Sequence, residues 1–144
     1  MIEQDTINLL RECDAGVKMG VASIDDVIDR VQSPRLKQCL SQCKREHIKL
    51  EHEIRDELNR FHDRGKEPNP IAQSMSRMKS GVKMAMDASD STVADLMTDG
   101  CHMGVKSLNQ YLNQYRAADE RSKDIAKRLI HLEQKLSEDI CTFL

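Results

Sequence analysis

Imidazoles and carboxylates three or four residues apart on a helix share one face, and such a face can hold a transition metal or carry protons. The stretch KREHIKLEHE, residues 44–53, brings His47, His52, Glu46, Glu51 and Glu53 together in helical pattern. A di-iron or di-manganese carboxylate centre inside a helical bundle draws a Glu from each of two helices and a Glu-x-x-His from each of the other two. The residue three before each histidine therefore decides whether such a motif exists. Before His47, His52, His62 and His131 stand Lys44, Lys49, Asn59 and Arg128, and a cation beside a divalent metal is repelled by it. Only His102 keeps a carboxylate at that place, in Asp99-Gly100-Cys101-His102.

His47 nevertheless lies on an apolar stripe with Leu50 and Ile54, and Glu51 follows one turn on. Asp14 is the polar break in the apolar stripe of the first helix. Counting outward from the Ser33-Pro34 joint puts Asp14 level with Glu51 and about one turn from His47, and counting from Ala118 puts His102 near Glu133. Two readings follow. Asp14, His47, Glu51, Asp99 and His102 could form a reduced metal site for iron, manganese or zinc. Alternatively, Asp14 and His47 form a buried pair that fixes helix register, with Asp99, His102 and Glu133 in an outer polar network.

Other chemistry has weaker support. Cys39 and Cys43 are one turn apart, and Met97 and Met103 flank Cys101 and His102, a soft donor set for copper or zinc that also reads as core filling. Cys101 and His102 are neighbours in sequence and so diverge by about 100° around a helix, which is poor geometry for a nucleophile and its base. No Gly-rich phosphate loop, Ser-His-Asp spacing or GxSxG is present. No catalytic set emerges, and an enzymatic role would rest on the metal reading alone.

The elements that must position these residues are helices. Ile7, Leu10, Asp14, Val17, Val21, Ile24, Ile28 and Val31 repeat in steps of three and four, predicting a helix over about 4–31. Ser33 and Pro34 supply an N-cap and a first-turn proline for a helix over 34–64, whose stripe is Leu36, Leu40, Cys43, His47, Leu50, Ile54, Leu58 and Phe61, with Gly65 placed to close it. After GKEPNP, a helix over 70–87 presents Ile71, Met75, Met78, Val82 and Ala85, leaving Met84 and Met86 off that face. Ser89 to Thr92 is a capping cluster before a helix over 91–116, with Val93, Met97, Cys101, Leu108, Tyr111 and Tyr115, and with Gly100 and Gly104 marking a close neighbour. Ile125, Leu129, Leu132, Leu136, Ile140 and Phe143 define a last helix over 120–143. No strand pattern or internal repeat interrupts this all-α series, and residues 1–144 read as one domain.

The joints after the first and third long helices are short, so each joins antiparallel neighbours. The 70–87 segment, about 25 Å long as a helix, carries the chain back between the second and third. The expected architecture is an up-down-down-up four-helix bundle with a helical crossover, the ferritin-like topology.

Composition narrows the partners. The chain is 39% hydrophobic and 32% charged, suited to amphipathic helices with wide solvated faces. A net charge of −2 and only two Phe and two Tyr argue against nucleic acid as a partner. Opposite charges at Glu51 and Arg55, and at Asp56 and Arg60, read as a solvated helix flank. No apolar run approaches membrane-spanning length, the first residues MIEQDT are acidic, and five cysteines without CxxC spacing read as reduced, mostly buried thiols, so a cytoplasmic setting is expected. The Met-rich crossover suggests an added interface, most simply a homodimer.

TINLLRECDAGVKMG, the Ser33-Pro34 joint, FHDRGKEPNP and DLMTDGCHMG together give the chain a pattern that resembles the ferritin-like superfamily, which includes the rubrerythrins, and within it a bacterial branch of small two-hairpin proteins with an amphipathic crossover. The resemblance implies the bundle fold over nearly the whole chain. It maps Asp14 onto the first-helix carboxylate, His47 onto the second-helix histidine and Asp99 onto the third-helix carboxylate. The superfamily's active centres act as ferroxidases, peroxidases or oxygenases, but Lys44 and Arg128 depart from its motifs and no residue of the last helix matches. The implied role is thus a bundle without an intact di-metal site, serving as a structural or protein-interaction module, with a metal-binding oxidase, peroxidase or metal sensor as the alternative.

Overall fold

A computed structural model describes residues 2–144, apart from the side chains of residues 71, 72, 74–76 and 78. The described residues form α1 (Ile2–Val27), α2 (Pro34–Arg60), α3 (Pro70–Met86), α4 (Asp90–Gln114) and α5 (Glu120–Ile140), with single 3-10 turns after α1 and α5 and no strand. No helix among them is long and apolar enough to cross a membrane.

Helix starts follow local chemistry. Ser33 Oγ accepts the Leu36 N–H, with Pro34 in the first turn; Ser89 and Asp119 cap α4 and α5 in the same way through the N–H groups of Thr92 and Ser122. Each cap satisfies one of the N–H groups that a helix start leaves without an internal partner. Asp90 does more. Its carboxylate accepts the N–H groups of Gln32 and Ser33 at 2.8 and 2.9 Å, tying the start of α4 to the start of α2. At the opposite end Asp5 and Thr6 accept the N–H groups of Ala117 and Asp119 at 3.0 and 2.8 Å, tying the start of α1 to the start of α5. Around the molecule α1 packs on α2, α2 on α5, α5 on α4 and α4 on α1, with a further α1–α5 contact across the middle.

Several helix ends differ from expectation: α4 stops at Gln114 rather than at 116, and α5 gives way at Ile140 to a 3-10 turn over Cys141–Phe143. α1 gives way to a 3-10 turn at Ile28–Arg30. α2 stops at Arg60 instead of running to residue 64, because His62 takes a left-handed conformation at φ 55°. The N–H of Asp63 then reaches the Leu58 carbonyl at 3.0 Å and the N–H of His62 reaches that of Asn59 at 3.1 Å, the paired bonds of a Schellman ending. Gly65, expected to close the helix, has φ 84° but serves a different contact, described below.

The apolar interior divides into two clusters. One holds Leu9, Leu10, Cys13, Val17, Leu50, Ile54, Leu58, Leu108, Ile125 and Leu129; the other holds Ile24, Val27, Leu36, Leu40, Cys43, Met84, Val93, Met97, Cys101, Leu136 and Ile140. Of its expected stripe α1 buries Leu10, Asp14, Val17 and Ile24, with Ile7 and Val21 half-buried, and it adds Leu9, Cys13 and Val27, since it touches three long helices and needs a wider apolar face. The crossover face is corrected. Met84 is buried and belongs to the second cluster, whereas Val82 and Ala85 are exposed; the expected Ile71, Met75 and Met78 lie outside the described side chains. Gly100 is exposed with nothing near its α-carbon, so of the two α4 glycines only Gly104 faces a neighbour. Arg60 pairs with Glu57 at 3.1 Å rather than with Asp56, and Arg121 also binds Glu57, at 2.8 Å. With Arg128 forking onto Glu53 at 2.7 and 2.9 Å, these contacts lace α2 to α5.

Candidate functional site: two buried polar centres

The first centre lies where the two apolar clusters meet. His47 falls between Cys43 and Leu50 on the inner stripe of α2 and is 1% exposed. Its Nδ1–H donates to the Cys43 carbonyl at 2.8 Å, the i−4 carbonyl that helix geometry places beneath it. Nε2–H donates to Glu133 Oε1 of α5 at 2.8 Å. A carbonyl and a carboxylate both only accept, so both ring nitrogens carry protons and the ring is an imidazolium. Burial opposes that charge, but the Cys43 sulfur, 3.4 Å from Nδ1, and the Glu133 carboxylate outweigh it and raise the His47 pKa to about 10. The Cys101 thiol also faces Glu133, and burial together with that carboxylate pushes its ionisation well upward.

All four long helices supply this layer. Gly20 of α1 lies so close that a Cβ there would stand 2.9 Å from His47 Nε2, and a Cβ on Gly104 of α4 would stand 3.6 Å from the Glu133 carboxyl. The glycines give the ion pair its room, and the apolar clusters on either side exclude water from it.

The second centre joins Asp14 to Glu51, as their counted levels suggested. Asp14 is fully buried; its Oδ2 accepts the Lys66 N–H and the Lys18 ammonium, each at 2.9 Å. Arg55 Nε donates to Glu51 Oε1 at 3.2 Å and stands 4.0 Å from Asp14 Oδ1. The other oxygens, Asp14 Oδ1 and Glu51 Oε2, are buried without a fixed hydrogen-bond donor. Two carboxyl groups in contact away from water cannot both ionise cheaply. Burial, and then the neighbouring Asp14 carboxylate, raise the Glu51 pKa to about 8. Burial also opposes ionisation of Asp14, but a hydrogen bond from Glu51, the Lys18 ammonium and the Lys66 amide hold its pKa below the usual value. At neutral pH the pair therefore shares one proton, carried by Glu51 and donated to Asp14.

The remaining proposed ligands are elsewhere. Asp99 is exposed and 3.6 Å from Lys79, and His102 is exposed on the same outer face of α4. Their Asp-x-x-His spacing shares a helix face, but that face is turned outward. His52, His62 and His131 are exposed, as their charged neighbours implied. Glu133 does lie level with His102, since Cys101 and Gly104 stand against it, but it turns inward to His47 and is not part of an outer network with Asp99 and His102. Its signal was a carboxylate one turn after Leu129 on an otherwise apolar stripe.

The donor set does not fit the metal pair that the resemblance implies. Both nitrogens of His47 are engaged, Lys18 occupies Asp14 Oδ2 and Arg55 occupies Glu51 Oε1, and among the described residues no three His, Cys, Asp or Glu side chains converge to hold a metal ion. The five cysteines are free, with Cys13, Cys43 and Cys101 buried, and burial pushes the Cys13 thiol up to about 12, so it stays protonated and inert.

Fold and centres together define an all-helical protein whose interior charges are compensated by one another. No protein-family model, curated protein or solved structure matches the chain.

Proposed function

We propose that the chain is a ferritin-like, up-down-down-up four-helix bundle in which self-compensated polar pairs stand where a di-metal centre would lie, and that it works as a structural or protein-interaction module. The topology is supported by the tied starts of α1 with α5 and of α2 with α4, which make the members of each pair parallel. One observation carries the functional reading: His47 Nδ1 lies 2.8 Å from the Cys43 carbonyl and Nε2 lies 2.8 Å from the Glu133 carboxyl, so beside an ionised Glu133 both nitrogens donate and the ring offers no lone pair to a metal. An interaction role, most simply a homodimer, is supported by Val82 and Met86 of α3, which are 56% and 84% exposed.

The deciding experiment is elemental analysis of protein purified without chelator, repeated on the Asp14→Ala, His47→Ala double variant, with light scattering for mass. Sub-stoichiometric iron, manganese and zinc in both proteins supports the module. Stoichiometric metal that disappears in the variant overturns it in favour of the metal-binding alternative, and a monomeric mass at high concentration removes the homodimer.

A further inference from the structure

The turn between α2 and α3 is fastened to α1 at one point in a way that leaves no slack. Gly65 is pressed onto the Asp14 carboxyl: a Cβ there would fall 2.2 Å from Oδ2 and 2.9 Å from Cγ. The next residue donates its N–H to the same Oδ2. The rest of the fastening surrounds this contact. Lys18 bridges Asp14 to Glu67 of the turn, at 2.9 and 2.8 Å, and Arg55 bridges Glu51 to the Arg64 carbonyl, donating to the latter at 2.8 Å. Outside these, Lys66 pairs with Glu12 and Arg11 forks onto Asp63.

We propose that the Asp14–Glu51 pair is a proton-held latch, in which the single proton between the two carboxyl groups keeps the 61–69 turn, and with it the root of α3, seated on α1. The carboxyl oxygens that lack another donor are one on each member of this pair, and a shared proton satisfies both at once. When Glu51 gives that proton to water or buffer, two anions face each other in a buried site, and Coulomb repulsion there is several times what it is in bulk water. Lys18 and Arg55 offset part of that charge from where they stand, but they are held to Asp14 Oδ2, to Glu51 Oε1 and to the turn, so Asp14 Oδ1 and Glu51 Oε2 gain no donor in place of the lost proton. Rotation of the Asp14 carboxyl is the available relief, and because Gly65 rests on that carboxyl, rotation displaces the turn. A cleft of about 320 Å³ between α1 and α2, lined by Val17, Lys18, Val21, Asp25, Ile48 and Glu51, gives the proton its route to solvent. Asp25 in that cleft is held by Lys44 at 2.6 Å and does not contact the pair.

The latch is independent of the module reading, and its test is run with chelator present so that a metal at either centre cannot imitate it. Amide exchange at Gly65 and Lys66 is followed from about pH 5.5 to about pH 9 and corrected for intrinsic exchange; one proton lost on opening predicts protection falling by up to about tenfold per pH unit as pH rises toward about 8, the value of Glu51 in the closed form, and levelling off above it. Glu51→Gln keeps a neutral donor at that position, so its protection stays level across the range. Flat protection in the wild type, or an equal fall in Glu51→Gln, overturns the latch. Carbon-13 titration of the Glu51 carboxyl in the wild type decides the case if the variant does not fold: an inflection in the ordinary glutamate range overturns the proposal, and one near neutrality or above supports it.

Discussion

His47 Nε2 and Glu133 Oε1, 86 residues apart in the chain, meet at 2.8 Å between glycines of the two other long helices. The pair joins α2 to α5 through a histidine that is 1% exposed, and it separates the two apolar clusters. Breaking it from one side strands a buried imidazolium. Glu133→Ala is therefore expected to destabilise the protein by about 3–5 kcal/mol, while a double replacement of both residues by Leu costs less than the two single changes together, because it leaves no unpaired charge. Urea unfolding of the wild type, Glu133→Ala, Glu133→Leu, His47→Leu and the double Leu variant measures both.

Stability will fall toward alkaline pH. The folded-state pKa of His47, about 10, lies above the ordinary histidine value of 6.5, so its contribution is complete below 6.5, shrinks as pH rises and is gone above about 10. The slope for one proton approaches about 1.4 kcal/mol per pH unit. Glu51, raised from 4.5 to about 8, acts with the same sign in a lower window, between those two values. Unfolding free energies measured at closely spaced pH should thus keep falling above pH 8 in Glu51→Gln, and should lose that upper segment in His47→Leu.

Gly20 and Gly100 give opposite outcomes for one substitution. Gly20→Ala drives a methyl to 2.9 Å from the His47 ring, which cannot retreat without leaving Glu133, and is expected to cost about 1–3 kcal/mol. Gly100→Ala meets nothing within 4 Å on the exposed face of α4 and is expected to stabilise by about 0.5–1 kcal/mol through helix propensity. Melting temperatures of the two variants moving in the same direction would contradict the placement of the polar layer.

Gly65→Ala combines two penalties, a left-handed backbone at φ 84° and a methyl inside contact distance of Asp14. The expected loss is about 1–3 kcal/mol, accompanied by faster proteolysis between α2 and α3. Cleavage elsewhere in the chain, with that turn still protected, would contradict its seating on α1.

The helices, their caps and most buried positions were legible in the sequence because they depend on contacts within a few residues. Apolar spacing of three and four set the α2 stripe from Leu36 to Leu58, every member of which is buried, and Ser33-Pro34 and the cluster from Ser89 to Thr92 marked the starts of α2 and α4. The contact of Asp14 with Glu51 was also within reach, since a short joint lets residues be counted outward along two adjacent helices. What the tertiary structure alone decided were relations between distant elements: that His47 pairs with Glu133, that Asp99 and His102 turn outward, that Met84 is buried while Val82 is not, and that α2 ends at Arg60 as the following turn is drawn onto Asp14. Local periodicity states which face of a helix is apolar. It does not state the rotation and axial offset between helices, and a shift of one residue in either moves a side chain by about 100° or 1.5 Å, enough to exchange one polar partner for another.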